Sequence, residues 1–390
     1  MPFDFRLPLR VIATHETPFY FYDLDLLDET LAQIKRYADR DDFVVHYAVK
    51  ACVNHSVLST IAHAGLGADT VSGGEIQAAI NAGFNPEKVV FAGVGKTDRE
   101  IKLALELGIG CFNVESAEEL EIINSIAEQM GKTAPVALRV NPDIDAHTHH
   151  YITTGLAENK FGISLQTIDT VIDTANRLEH INLIGLHFHI GSQIMTMRPY
   201  ELLCDVINFI VTRLERKGIS LPNINVGGGL GVDYDTPEDN PVPDFKDYFN
   251  VFKKGLKLPA GTRVHFELGR AIVAQCGSLI SRVLYVKKGL KKDFVILDAG
   301  MTELIRPALY QAHHKIENLT AAVDDRPIEK YDVVGPVCES SDVFGENVPL
   351  GQTRRGDIVA IRTAGAYGEI MSSGYNCRKL NPSVCHRRRR

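Results

Sequence analysis

From residue 43 onward the chain alternates between two textures. Short runs rich in β-branched and aromatic residues are each followed by a longer stretch in which apolar residues return every three or four positions. Eight such runs read as strands: Phe43 to Val49, Gly67 to Asp69, Val89 to Phe91, Cys111 to Val114, Ala137 to Val140, Leu183 to His187, Ile224 to Val226, and Arg263 to Glu267. The stretches between them, such as GGEIQAAINAG and SAEELEIINSIAEQM, read as helices. Ser116 opens the second, with Glu119 three residues on, the spacing of a capping box. Nearly continuous apolar runs suit strands buried on both faces, so eight strand and helix units predict a closed (β/α)8 barrel rather than an open doubly wound sheet.

After about residue 272 the texture changes. SLISRVLYVKKG, KDFVILDA and GDIVAIRTAGAYG alternate apolar and polar positions without long helical periodicity, which predicts a β-sandwich or small β-barrel. TPFYFYD, at 17 to 23, is also strand-like and precedes the barrel. The expected organisation is an N-terminal strand segment, 1–25, joining the distant β domain, then a barrel over 26–272 and a C-terminal β domain over 273–390.

Composition narrows the functional classes. Of the 390 residues, 45% are hydrophobic and 23% charged, which excludes a disordered, collagenous or coiled-coil chain. A net charge of −7 argues against a nucleic-acid partner, and the one basic run, Arg387 to Arg390, reads as a solvated tail without function. No stretch reaches 18 consecutive apolar residues, so no membrane span is expected. Seven cysteines without paired spacing, and an opening MPFDFRLPLR without an apolar signal core, point to a reducing, cytoplasmic setting and to no metal site.

Candidate chemistry gathers at the strand ends. Lys50, Asp69, Asn113, Arg139, His187, His189 and Glu267 fall at or just past the C-terminal ends of the predicted strands, where such barrels build their active sites. A lysine past a strand end is usually a surface group, but in this company Lys50 becomes a candidate for covalent chemistry. NVGGGLG places Gly227 to Gly229 after the seventh strand, where bare backbone N–H groups can approach a phosphate. HFELGR ends the eighth strand on Glu267, with Gly269 and Arg270 following. In GLHFHIGSQ, alternation sends His187 and His189 to one side, either as metal ligands lacking a third partner or, for His189, as a flat ring for stacking. An amine, a phosphate cradle, a flat ring and a carboxylate together suggest pyridoxal 5'-phosphate.

These motifs, taken in order with YAVKA, DTVSGGE, FAGVGKT, LRVNPD, TTGLAENKFGI, DAGMTELIRPALY, VVGPVCESSD and GAYGEIMSSGYN, resemble those of the fold type III pyridoxal-phosphate decarboxylases over nearly the whole chain. The resemblance implies that Lys50 carries the cofactor as a Schiff base, that His189 stacks on its ring, that Glu267 pairs with the ring nitrogen, and that Arg139 lies near the ring hydroxyl. It puts Ser192, Gly228, Gly229, Gly269 and Arg270 around the phosphate, with Arg270 and Tyr367 also reaching the substrate. The related racemases have arginine at the ring nitrogen, so Glu267 implies a decarboxylase, and Cys338 is the implied proton donor.

Charge then suggests the substrate. Arg306, with Tyr310 nearby, suits a distal carboxylate and Glu339 a distal ammonium, so the expected amino acid is meso-2,6-diaminopimelate, decarboxylated to L-lysine and CO2. Decarboxylation of carboxynorspermidine, ornithine or arginine is the alternative, and a non-catalytic regulatory binding protein is the alternative of another class. The resemblance also implies a homodimer in which Cys338 and Glu339 cross the interface and Lys160 pairs with Asp342 between subunits. Three departures stand out: Cys52 replaces the family's asparagine, Leu268 replaces a proline and so frees a backbone φ beside the phosphate loop, and CHRRRR replaces a further strand that would close the β domain.

Overall fold

The computed structural model describes residues 7–144, 160–380 and 382–388. The backbone divides into two units, one of Met1–Thr30, Val232–Pro243 and Arg270–Arg390, the other of Leu31–Gly231 and Asp244–Gly269. A first strand, β1 (Phe19–Asp23), belongs to the former.

The other unit is a barrel of β2 (Phe43–Ala48), β3 (Gly67–Thr70), β4 (Val89–Phe91), β5 (Cys111–Val114), β6 (Ala134–Arg139), β7 (Ile181–His187), β8 (Asn223–Asn225) and β9 (Arg263–Leu268). Neighbouring strands are parallel, and β2 pairs with β9 from Phe43↔Val264 to Tyr47↔Leu268, which closes the ring. All eight runs read from the sequence fall on these strands, because β3, β4 and β5 are buried at every position and so carry the continuous apolar signal of two covered faces. Ser116 caps the helix Ala117–Gln129 by accepting the Glu119 N–H, as expected. The reciprocal half of the box is absent: the Glu119 carboxylate goes to the Glu115 N–H and to Lys96.

Alternate residues of a strand point to the same side, so His265 and Glu267 of β9, and Asn223 and Asn225 of β8, form two successive polar levels in the barrel. On the first, His46 Nε2 lies 2.8 Å from His265 Nδ1, and His265 Nε2 lies 3.0 Å from Asn223 Oδ1. Gly67 makes room for this level, since a Cβ there would run into the His46 ring. The second level is the candidate site.

The remaining unit is built on β10 (Gly277–Lys287), β11 (Phe294–Leu297), β12 (Ile316–Asn318), β13 (Ile328–Val334), β14 (Val343–Gly351), β15 (Ile358–Ile361) and β16 (Ser383–His386). The strands run β12-β15-β10-β11-β13-β14, with β1 on β10 and β16 on β1. The first half of β10 pairs with β1 and β15, and the second half with β11 after a register shift between Val283 and Tyr285, so one long strand serves both halves of a mostly antiparallel domain. Phe19 and Phe21 of β1 pack with Ile12, Ile280 and Ile358 in its core.

The expectation of an open edge is corrected here. β16 lies parallel to β1, from Tyr20↔Ser383 to Asp23↔His386, and covers an edge that would otherwise be unpaired. Arg387 then pairs with Asp28, and Arg388 places a guanidinium nitrogen 3.3 Å from Asp23 and its N–H 2.7 Å from Asp25. Three aspartates at one end of the helix Leu24–Tyr37 thus draw in the two arginines that follow β16. Among the described residues no helix is long and apolar enough to cross a membrane.

Candidate active site

In the barrel unit the second polar level centres on Glu267, near the end of β9 and buried. Its Oε1 accepts from the Asn225 amide (2.7 Å) and the Asn113 amide (3.1 Å), and its Oε2 lies 3.0 Å from His187 Nε2. Three strands therefore hold one carboxylate. Burial alone would raise its pKa, but the His187 imidazole, Lys50 and His189 outweigh it and hold the carboxyl well below the usual range. The His187 Nδ1 on the far side of that ring is buried without a hydrogen-bond partner among the described residues.

Lys50 sits in the single turn Val49–Ala51 that ends β2. Its side chain is 41% exposed, and its Nζ lies 3.5 Å from Oδ2 of Asp69, which is buried. Burial, and next the Glu267 charge, push Asp69 up to about 8 against the pull of Lys50. The lysine is thus electrically coupled to two buried acids, which a solvated surface lysine is not.

The glycine run has a structural cause beside the one its composition suggested. A Cβ on Gly227 would overlap the Phe188 carbonyl oxygen, one on Gly228 that of Glu267, and one on Gly229 that of Gly191. Gly227 and Gly229 also have φ of +72° and +104°. Backbone crowding beyond β7, β8 and β9 demands these glycines before any ligand does. The Gly228 N–H donates to His189 Nδ1 (3.3 Å), so the His189 ring is a neutral Nε2–H tautomer. Burial, then Arg139 and Lys50, hold its pKa well below the ordinary value. β7 ends at His187, and the two histidines that alternation placed together take separate partners, Glu267 for one and the glycine turn for the other.

Arg139 ends β6 already paired, with NH1 2.8 Å from Glu115 Oε1 and its guanidinium 4.7 Å from the Phe161 ring. The other Glu115 oxygen accepts the Gly162 N–H at 2.8 Å. Glu115 was not picked out in the sequence, although it directly follows β5 as Lys50 follows β2. Ser192 lies part-buried past β7, and Lys160 is exposed, with its ammonium 5.2 Å from the Phe161 ring. Residues 153–159 of the TTGLAENKFGI motif lie outside the described residues. Leu268 is fully buried and paired with Tyr47, so the β-ladder fixes the backbone that the missing proline was expected to free, and Gly269 follows it directly. Cys52 is buried, and its carbonyl accepts the Tyr47 hydroxyl at 2.9 Å.

In the β unit a second group of expected residues comes together. Arg270 donates to the Tyr234 hydroxyl (2.6 Å) and lies 5.0 Å from the Tyr367 ring, whose residue adopts a φ of +56°. Left-handed backbone at a tyrosine is a strain of the kind functional sites retain. Arg306, buried at the start of the helix Arg306–Tyr310, lies 2.8 Å from His314 Nε2, with its guanidinium 4.8 Å from the Tyr234 ring. Tyr310 is part-exposed at the other end of that helix. Tyr234 and His314 were not foreseen. Nothing in VDYDT or QAHHK marks them, and only the fold assembles them with the arginines.

Cys338 is exposed, not the buried small hydrophobe that a lone cysteine usually is. Glu339 beside it is also exposed and accepts from the Tyr375 hydroxyl at 2.5 Å. Asp342 is buried, and its two oxygens accept the Met301 N–H (2.6 Å) and the Val337 N–H (2.7 Å), which anchors the loop that carries the cysteine.

Residues 25–274 match the pyridoxal binding domain of the pyridoxal-dependent decarboxylases. The chain is similar to the diaminopimelate decarboxylase of Bacteroides thetaiotaomicron, with 59% identity over 374 residues that span 96% of each chain. It is also similar in structure to a diaminopimelate decarboxylase from Helicobacter pylori complexed with L-lysine, with a TM-score of 0.91 and 41% identity over 97% of this chain and 94% of that one. A diaminopimelate decarboxylase from M. jannaschii in complex with L-lysine gives 0.88 and 34% over 97% and 89%. This chain belongs to the pyridoxal-dependent decarboxylases and, within them, to the diaminopimelate decarboxylase family.

Proposed function

We propose that the chain decarboxylates meso-2,6-diaminopimelate to L-lysine and CO2, the last step of lysine synthesis, using pyridoxal 5'-phosphate and acting as a homodimer. The observation that carries this reading is Glu267, a buried carboxylate kept ionised by three donors and coupled to the Lys50 amine. The donor set of the barrel unit fits the cofactor: a primary amine, an acid to face a ring nitrogen, a neutral imidazole face and a glycine turn.

When bound, pyridoxal phosphate supplies a pyridinium ring that accepts the electron pair left by departing CO2. Lys50 would hold the group covalently, and the neutral His189 ring would pack against it. Glu267 holds a proton at the ring nitrogen, which its charge makes possible and a neutral side chain would not. Arg139, its charge already shared with Glu115, would serve the ring hydroxyl. Ser192, Gly228, Gly229 and Gly269 would hold the phosphate, a role the resemblance also gives to Arg270 and Tyr367. Arg306 and Tyr310 take the distal carboxylate and Glu339 the distal ammonium. Cys338 would supply the proton that takes the place of the lost carboxylate on the substrate carbon. Its exposure suits a residue that works against a second subunit, and on this reading Cys338 and Glu339 complete the partner's site, with Lys160 and Asp342 at the interface.

CO2 release from meso-diaminopimelate, ornithine, arginine and carboxynorspermidine, measured in parallel, tests the substrate. Turnover confined to the diacid is expected, whereas preference for ornithine or arginine would transfer the chain to that branch. Activity that survives dilution as a monomer would remove the shared site.

A further inference from the structure

Buried arginines are normally paired with acids, since a guanidinium loses its hydration on burial and needs a charge to replace it. Arg306 is 5% exposed, and no carboxylate among the described residues pairs with it. Its partners are instead neutral: the Tyr234 hydroxyl, and His314, which is 1% exposed, with Nε2 2.8 Å from Arg306 NH1 and Nδ1 2.9 Å from the Arg362 carbonyl oxygen. A carbonyl only accepts and a guanidinium only donates, so the His314 ring is fixed as the neutral Nδ1–H tautomer with its Nε2 lone pair on the arginine. An imidazolium would turn N–H against N–H. The ring is locked in place: Tyr234 meets it edge-on at 5.1 Å, the Lys315 N–H donates to the Tyr234 carbonyl at 3.2 Å, and the Arg362 N–H donates to that of Lys315 at 2.8 Å. Burial, and then Arg306 itself, hold His314 down at about 3, so it stays an acceptor at any working pH.

We propose that His314 is a positioning residue that aims Arg306 without cancelling its charge, and that this uncancelled charge selects ligands carrying a carboxylate at the end remote from the reacting carbon. A glutamate in the same place would orient the guanidinium equally well and neutralise it, while the imidazole takes one of the five N–H groups and leaves the positive charge for a ligand. This deepens the reading above and rests on Arg306 facing the substrate.

Two isosteric substitutions separate aim from charge. In His314→Gln the side-chain oxygen still accepts from Arg306 and the charge stays available, whereas in His314→Glu the acceptor stays but the charge is spent. L-lysine and cadaverine, which differ by the carboxylate, are the probes, with calorimetric binding to the holoenzyme as one readout and the KM for meso-diaminopimelate as the other. Expected is a loss of L-lysine affinity of about ten- to hundredfold in His314→Glu, that of a charge-assisted hydrogen bond, with cadaverine unaffected and His314→Gln close to wild type. KM should rise in parallel, with kcat changing far less. Equal behaviour of the two variants, equal weakening of L-lysine and cadaverine, or wild-type protein blind to L-lysine would overturn the proposal. Wild-type protein whose L-lysine affinity depends on His314 in this way yet releases no CO2 from the diacid would overturn the enzymatic reading and keep this one.

Discussion

Replacing Glu267 by glutamine or by leucine tests what the barrel does with its buried acid. In Glu267→Gln the amide oxygen goes on accepting from Asn113 and Asn225, and the new NH2 faces His187. His187 can then shift its proton to Nδ1 and accept on Nε2, because Nδ1 has no partner to lose among the described residues. The fold should therefore lose less than about 1 kcal/mol, since each hydrogen bond to the carboxylate keeps a counterpart. Leucine strands all three donors. At about 1–3 kcal/mol for each buried polar group left without a partner, the loss should exceed about 3 kcal/mol. Urea denaturation of the cofactor-free proteins at neutral pH reads this difference without ligand stabilisation. Turnover separates shape from charge: on the proposed mechanism glutamine keeps the shape but loses the charge, and kcat should fall about 10²–10³-fold, as it does when one electrostatic stabiliser is removed. Equal stability of the two variants would refute the three-donor account, and full activity of Glu267→Gln would refute the role of the charge.

Three further outcomes follow from named contacts. Gly228→Ala drives a methyl group into the Glu267 carbonyl and should cost about 1–3 kcal/mol or more of unfolding free energy, while Gly74→Ala, with nothing nearer than 3.7 Å outside its own helix, should cost nothing. The depressed Glu267 pKa adds stability above the ordinary carboxylate range that is lost as pH falls through its folded value, so an acid titration of unfolding should be shallower in Glu267→Gln than in wild type. Removing both Arg387 and Arg388 by alanine should lower the unfolding free energy at low salt by under about 1 kcal/mol per exposed pair, and the deficit should shrink in high salt.

Much of this was legible in the sequence, for reasons that can be given residue by residue. The barrel strands show because both faces of each are buried, and Lys50 and Glu267 show because polar residues at the ends of such strands have few structural uses. The strand SVCH was missed because its four residues carry no alternation, and its pairing comes from β1, more than 350 positions away. The glycine run was placed correctly but for an incomplete reason, since its first requirement is the crowding of three carbonyls. Glu115, Tyr234 and His314 were invisible because each acts only through a partner that the fold supplies: Arg139 for the first, and Arg270 and Arg306 for the others. Leu268 looked like a loss of rigidity only because the ladder to Tyr47 cannot be read from one strand.

The central claim is that Lys50 carries pyridoxal phosphate for decarboxylation of a diamino diacid. CO2 release from meso-diaminopimelate, recorded with the near-visible absorbance of the lysine-bound cofactor in wild type and in Lys50→Ala, tests it most directly. The account predicts turnover and the absorbance band in wild type, and the loss of both in the variant. A variant that keeps the band, or a wild-type protein that binds the cofactor and releases no CO2 from the diacid, would contradict it.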